Sequence, residues 1–295
     1  CCRLQLDLRE LLKRGNGLFG SAEQTGSLGV VTINCARLGY LHRGDERALH
    51  ARLDELLELS RNSLEIKRKV IQRHMDAGLF PYTRRYLGTL RNHFSTIGII
   101  GGNEACLNLI GEDIGSTAGR EFAIRILDHM RQRMQVFQQE TGNYYNLEAT
   151  PAEGTGYRLA QLDRKRFAKI KCAMKDDTGQ IPLYTNSTQL PVNYSDDIFQ
   201  VLDLQDSLQT RYTGGTVLHV FLGEAVPDPA AVKSFVRTVC ERYHLPYFTL
   251  SPSFSICPTH GYLNGETETC PHCGGDTEIY ARVVFTVPKW GLALG

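Results

Sequence analysis

Thr25-Gly-Ser-Leu-Gly-Val-Val-Thr-Ile-Asn34 is the stretch on which the fold turns. From Leu28 to Ile33 it is a short, largely apolar and β-branched run with glycine behind it and asparagine ahead. Such a run predicts a strand buried on both faces. The same signature returns from Thr96 to Ile100, from Val217 to Leu222 and from Tyr247 to Leu250. Between these runs the period changes. Leu49, Leu53, Leu56, Leu57, Leu64, Val70 and Ile71 recur at helical spacing between Ala48 and about Ala77, which fits one or two long amphipathic helices, and Gly78 is placed to stop the run. Further helices are expected from about Arg120 to Glu140 and from about Asp228 to His244, where Pro229 suits a first turn and Pro246 follows the end. Strands alternating with long helices imply an α/β architecture, and strands covered on both faces fit a barrel.

The totals narrow the function classes. With 42% hydrophobic residues the chain can fill a sizeable core, so it is expected to fold as a globular protein. Its 33 basic and 32 acidic residues nearly cancel, which gives no overall electrostatic footprint for duplex nucleic acid or an anionic membrane. No stretch approaches 18 consecutive apolar residues and no signal pattern opens the chain, so a cytoplasmic location is expected. The nine cysteines lie as an adjacent pair, scattered singles and one tight cluster, a distribution that suits thiol chemistry and metal binding better than a disulfide framework. The opening Cys1-Cys2-Arg3 reads as the interior of a pattern, and the chain is expected to be a fragment.

Near Ser251 the helix formers give way to Cys, Gly, Thr and His. Cys257-Pro-Thr-His260 and Cys270-Pro-His-Cys273 are two ligand pairs, each with two residues between its members. Knuckles of this spacing turn both side chains toward one point, and two of them complete the tetrahedron that zinc prefers. Glycines at 261, 265, 274 and 275 permit the tight turns. His272 is the alternative to His260, and a metal-free thiol cluster or an iron–sulfur cluster are the other readings. Four protein ligands leave no open position, so the ion is expected to be structural.

Several separated strings carry a family resemblance: Gly17-Leu-Phe-Gly-Ser21, the 25–34 stretch, Asn146-Leu-Glu-Ala-Thr-Pro-Ala-Glu-Gly-Thr155, Tyr184-Thr-Asn-Ser-Thr-Gln-Leu-Pro191, Tyr212-Thr-Gly-Gly-Thr216 and Ser255-Ile-Cys-Pro-Thr-His-Gly-Tyr262. Together they resemble the anaerobic, class III ribonucleoside-triphosphate reductases over residues 1 to about 284. The resemblance implies the C-terminal part of a ten-stranded α/β barrel of the glycyl-radical enzyme type, with a C-terminal zinc ribbon. It divides the chain into a partial catalytic barrel (1–250), a ribbon (251–284) and an atypical tail (285–295). It also implies reduction of ribonucleoside triphosphates by thiyl and glycyl radicals. Cys2 corresponds to the fingertip cysteine that removes hydrogen from C3′ of the ribose, chemistry that needs a site closed to water and oxygen.

Asn34 corresponds to the family's active-site asparagine, whose amide can bind substrate hydroxyls or a formate reductant; from the residues alone it is a strand-end turn residue. Cys35, as its neighbour in the strand, is expected to face away and pack. Thr150, Ala152, Gly154 and Thr155 lie in a loop resembling the one that holds the nucleotide phosphates, where hydroxyls and glycine bring backbone N–H groups to an anion. Without the family, Thr150 reads as a helix cap. Tyr184, Asn186 and Ser187 are further candidates for the substrate pocket. Gly214-Gly215-Thr216 suggests backbone passing close to something.

One part of the family pattern does not match. Arg282-Val-Val284 is followed by Phe285-Thr-Val-Pro-Lys-Trp290, so the radical-bearing glycine is not found, and no residue here takes that role. The expected partners are a ribonucleoside triphosphate, a radical-SAM activating enzyme and, for the intact enzyme, a second copy in a homodimer; neither membrane nor nucleic acid is expected. A chain lacking the glycine is expected not to turn over alone. The competing readings are a catalytically dead, zinc-stapled remnant that binds nucleotide or a subunit, and a zinc-ribbon nucleic-acid protein, which the charge of the ribbon disfavours.

Overall fold

The computed structural model describes residues 25–151, 153–172, 182–191, 194–222, 229–252 and 254–280. Along the chain these form β1 (Gly26–Asn34), α1 (Cys35–Leu41), α2 (Glu46–Asp76), α3 (Pro81–Leu87), β2 (His93–Ile100), α4 (Gly102–Leu109), α5 (Thr117–Thr141) and β3 (Tyr144–Glu148). After them come α6 (Glu153–Arg166), α7 (Ile198–Gln209), β4 (Leu218–Leu222), α8 (Pro229–Arg242), β5 (Phe248–Pro252), β6 (Phe254–Cys257), β7 (Gly261–Asn264) and β8 (Glu278–Tyr280).

β1, β2 and β3 form a parallel sheet in that order, with Val30 opposite Thr96 and Thr96 opposite Asn146. Every residue of the central strand β2 is buried, the apolar 97–100 run as its character predicts and the polar His93, Ser95 and Thr96 with it. One face of the sheet packs on helices: Ile33, Ile97, Ile99, Tyr145 and Leu147 join Leu49, Leu53 and Leu57 of α2 and Phe122, Leu127 and Met130 of α5 in the main core. Helix α2 owes its boundaries to local chemistry. Asp45 accepts from the backbone N–H of Ala48 at its start, and Gly78, at φ 82°, lets Leu79 N–H close on His74 O at its end.

β4 and β5 pair parallel in a second, two-stranded sheet, and α7 joins the two sheets, Val201 packing against both the main core and the cluster around Leu202, Leu218 and Val239. β6, β7 and β8 make a separate antiparallel sheet in the order β7-β6-β8. The expected strands and the three long helices are thus found within a few residues. The described residues show a mixed α/β fold with parallel sheets; a ten-stranded barrel is a finer statement than they carry.

Cys35 corrects one expectation. It is not the next residue of the strand but the first of α1, and it is buried in the main core. Packing is its role, with burial pushing its thiol up to about 12.

Candidate functional site

Strand alternation sorts β3 into two sets. Tyr145 and Leu147 enter the core, so Tyr144, Asn146 and Glu148 face the other side, together with Thr96 and Gly98 of β2 by register. That side is polar where it leaves the strands. Thr150 follows β3 and crosses β2 at Gly98, where an added Cβ would lie 1.7 Å from Thr150 Oγ1. Glycine at 98 is what lets the threonine lie there. Segment 182–190 crosses the end of β2, with Asn186 bridging Ile100 and Gly101 and Gly102 donating to the carbonyls of Thr185 and Ser187. Ser187 takes a left-handed conformation, φ 46°, and its hydroxyl donates to Ile99 O at 3.2 Å.

Asn146 Oδ1, Thr150 Oγ1 and Asn186 Oδ1 are buried oxygens without a hydrogen-bond partner among the described residues. Buried polar atoms are ordinarily satisfied, so three such oxygens around the same strand ends set this face apart as the candidate for a polar partner. Thr150 is not the cap of α6, which begins three residues later at Glu153. Gly154 is exposed and Thr155 half-buried in the first turn of that helix. Cys2 and Ala152 lie outside the described residues.

Asn34 sits at the end of β1, but its amide is already engaged at both ends. Oδ1 accepts from Arg37 N at 3.0 Å, capping α1, and Nδ2 donates to Asp163 Oδ2 at 2.8 Å. Asp163, fully buried on α6, also accepts from Arg37 Nε at 2.7 Å and from the Tyr184 hydroxyl at 2.9 Å. Burial, reinforced by this carboxylate, pushes the Tyr184 phenol well above its ordinary range, so it stays a donor. Asp163 therefore ties together two residues read from the sequence, Asn34 and Tyr184. A second buried carboxylate, Glu104, accepts from Thr185 N at 3.0 Å and Thr185 Oγ1 at 2.9 Å, and burial raises its pKa. Sequence reading missed Asp163, Glu104 and Asn146. Asp163 looks like part of a solvated Asp-Arg-Lys-Arg run, whereas Asn146 and Glu148 were legible as polar residues alternating with Tyr145 and Leu147.

Gly214 passes against β3 as its sequence suggests: its N–H donates to Leu147 O at 2.7 Å, and an added Cβ would lie 2.9 Å from that carbonyl.

In the ribbon, the side chains of Cys257, His260, Cys270 and Cys273 converge, with all four ligand atoms within 4.8 Å of one another. Cys257 Sγ lies 3.7 Å from both His260 Nδ1 and Cys273 Sγ, and Cys270 Sγ lies 3.6 Å from His260 Nδ1. A tetrahedral ion with bonds of about 2.0–2.3 Å sets its ligands roughly 3.5–3.8 Å apart, so the residues fit zinc. His260 is the histidine of the cluster; the His272 ring lies 5.4 Å away from it, outside the four. The backbone N–H of His260, donating to Cys257 Sγ at 3.4 Å, lowers the Cys257 thiol to about 6 and favours the thiolate a metal needs. Gly261, Gly265 and Gly274 adopt positive φ at the turns; Gly275 does not.

A parallel α/β core with a polar rim at its strand ends, followed by a Cys3His cluster that could hold a metal such as zinc, defines an enzyme-like protein with a metal-binding appendage. The chain belongs to the anaerobic ribonucleoside-triphosphate reductase family, whose model matches residues 1–286. It is 27% identical over 284 residues to the reductase of Salmonella typhimurium, covering 88% of this chain and 38% of that protein. Against the phage T4 reductase it is 27% identical over 184 residues, 61% of this chain and 28% of the relative. The Thermotoga maritima anaerobic ribonucleotide reductase, solved with MES in its active site, superposes with a TM-score of 0.74 at 26% identity over 88% of this chain and 43% of that one. The same enzyme in complex with dATP and CTP gives 0.74 at 25% identity. The chain therefore spans less than half the length of these relatives. No helix among the described residues is long and apolar enough to cross a membrane.

Proposed function

We propose that this chain is the C-terminal catalytic part of a cytoplasmic enzyme that reduces ribonucleoside triphosphates to deoxyribonucleoside triphosphates by radical chemistry. The observation that carries the reading is the set of three orphaned buried oxygens, on Asn146, Thr150 and Asn186, on the segments that resemble the family's substrate loops. The nucleotide would lie across that rim, its phosphates toward the N-terminal turn of α6, where Gly154 and Thr155 lie and free N–H groups favour an anion, with Ala152 preceding that turn in the sequence. Cys2 would supply the thiyl that takes hydrogen from C3′, and Tyr184, Asn186 and Ser187 would line the pocket.

Asn34, locked by Asp163 and Arg37, has only its remaining Nδ2 hydrogen and Oδ1 lone pair to offer a substrate hydroxyl. The two reducing equivalents come from outside the chain, as formate or a redoxin. The radical-storing glycine is assigned to no residue of this sequence, and a radical-SAM activating enzyme and a homodimeric whole enzyme are the partners the family supplies. Residues 1–250 form the catalytic part in this reading, 251–284 the ribbon, held by structural zinc on Cys257, His260, Cys270 and Cys273, and 285–295 a tail outside both.

The test has two arms. The chain, kept anaerobic, is titrated with a ribonucleoside triphosphate by calorimetry alongside Thr150→Val and Asn186→Ala; binding to the parent that weakens in both variants supports the reading, and equal binding by all three sinks the site. The chain is then treated with the activating enzyme and reductant. Deoxynucleotide formed without a glycine-bearing complement would refute the expectation that it cannot turn over alone.

A further inference from the structure

The near-zero net charge hides a strong local imbalance. Between Glu65 and Glu104 the chain carries seven lysines and arginines against one acid, Asp76. On the first half of α2 and the facing part of α5, four arginines are paired, Arg52 with Glu55, Arg61 with Glu58 and Glu140, Arg125 with Glu46 and Arg133 with Asp54, while Arg47 and Arg131 form no ion pair among the described residues. On the last third of α2 the pairing stops. Lys69, Arg73 and Arg91 form no ion pair among the described residues, and all three are exposed around one cleft of about 540 Å³. Of the acids nearby, Asp76 is held by Gln72 Nε2 at 2.9 Å, and Glu65 accepts from Tyr145 Oη at 2.6 Å and from Asn143.

A helix prefers cations at its C-terminal turn, which accounts for Arg73. It does not account for Lys69, a turn earlier, or for Arg91, which comes from another segment. What brings them together is Arg68. This arginine is only 8% exposed and donates to Leu90 O and His93 O at 2.7 Å and to Ser95 Oγ at 3.1 Å, pinning the 90–93 segment to α2. Its Nε is buried without a partner among the described residues, and no carboxylate forms an ion pair with it there. A buried cation whose hydrogen bonds go to carbonyls and a hydroxyl, with the Glu65 carboxylate acting on it but forming no ion pair, leaves part of its positive potential on the cleft wall that it lines. The cleft opens where β2 and β3 begin, at Leu90, Arg91 and Asn143, whereas the candidate site lies where those strands end. A strand of β2's length separates them by roughly 25 Å.

We infer that the cleft of Lys69, Arg73 and Arg91, framed by Arg68, is a second anion site that takes a compact oligophosphate, such as the phosphate chain of a nucleotide. Its size falls within that of small-ligand pockets, and three side-chain cations from two segments match several phosphate charges at once.

The test titrates the full chain by calorimetry with inorganic tripolyphosphate, with ATP and with a single-stranded oligonucleotide. The same titrations are run on Lys69→Gln/Arg73→Gln/Arg91→Gln and, separately, on Thr150→Val. The three replaced side chains are exposed, and an unchanged thermal melt confirms that the triple variant folds. Saturable 1:1 binding of tripolyphosphate that weakens at least about tenfold in the triple variant, the effect of losing one charge-assisted hydrogen bond, and persists in Thr150→Val supports the site. ATP binding no tighter than tripolyphosphate at this site assigns recognition to the phosphates, and tighter binding adds the nucleoside. Tripolyphosphate binding that survives in the triple variant, or is lost in Thr150→Val, overturns the proposal. So does an absence of tripolyphosphate binding by the parent, including the case in which only the oligonucleotide binds, in proportion to its length.

Discussion

The ribbon and the parallel sheet differ in what fills their interiors. Among described residues 254–280 only Ser255, Cys257, Gly265 and Cys270 are buried, so two of the four belong to the Cys3His cluster and none is an ordinary apolar side chain. Around β1, β2 and β3 the interior is a continuous set of leucines, isoleucines and aromatics from five helices and strands. A unit without a hydrophobic core needs another source of order, and a metal held by the four-residue cluster would supply it. In the sheet, Asp163 and Glu104 at the rim are answered by donors from distant segments, and at the opposite end the buried Arg68 donates to backbone carbonyls.

The largest expected effect breaks this contrast directly. Chelation, or Cys270→Ser with Cys273→Ser, removes about one zinc per chain and the order of the ribbon with it, since structural zinc contributes on the order of 10–16 kcal/mol to its site. Metal analysis together with hydrogen exchange should show residues 254–280 losing protection while β1–β3 keep theirs; a ribbon that stays protected without metal would abolish the distinction. In the other unit, Leu53→Ala, at a position with no exposure, should cost about 2–5 kcal/mol in denaturant unfolding and leave the metal content unchanged.

Next comes the rim. Asp163→Ala strands the Asn34 amide, the Arg37 guanidinium and the Tyr184 hydroxyl together and should cost about 3 kcal/mol. Asp163→Asn keeps the shape but presents one donor where two acceptor oxygens stood, and is expected to fall between Ala and the parent. If it matched the parent, the carboxylate charge would be irrelevant to the rim.

The smallest effect tests how little surface charge matters to the sheet unit. Arg125 bonds Glu46 at 2.7 Å and lowers its pKa below 4.5, so the pair stabilises the folded chain above that value and the contribution is lost as pH falls through the depressed pKa. Because the pair is largely exposed, Glu46→Gln should cost less than about 1 kcal/mol at pH 7 and nothing once the carboxylate is protonated. Comparing melts of the two proteins at pH 7 and below pH 3 would check the sign.

What could be read in advance follows the same division. The metal cluster was legible because its ligands are local, two pairs at fixed short spacing, and only the choice of His260 over His272 needed the fold. β1, β2 and α2 were legible because burial on one or both faces writes a period into the sequence. β3 was missed although Asn146 and Glu148 alternate with Tyr145 and Leu147, because five residues are too short a run for a period of two to stand out. Helix α4, Gly-Asn-Glu-Ala-Cys-Leu-Asn-Leu, escaped for another reason: it buries Asn103, Glu104 and Asn108 and so lacks an amphipathic stripe. Asn34 could be named from its place after a strand, but its partner Asp163 stands 129 residues further on, a separation no local pattern bridges.

The central place of β2 also sets an order of events during synthesis. Within this sheet β1 and β3 each pair with β2 and not with one another. β1 is complete at Asn34, while β2 does not begin until His93. At translation rates of about 5–20 residues per second, β1 waits several seconds with its β2-facing edge unpaired. During that interval β1 has no β2 to pair with, and α2, the long helix made between the two strands, is the first long helix of this unit that can shelter it.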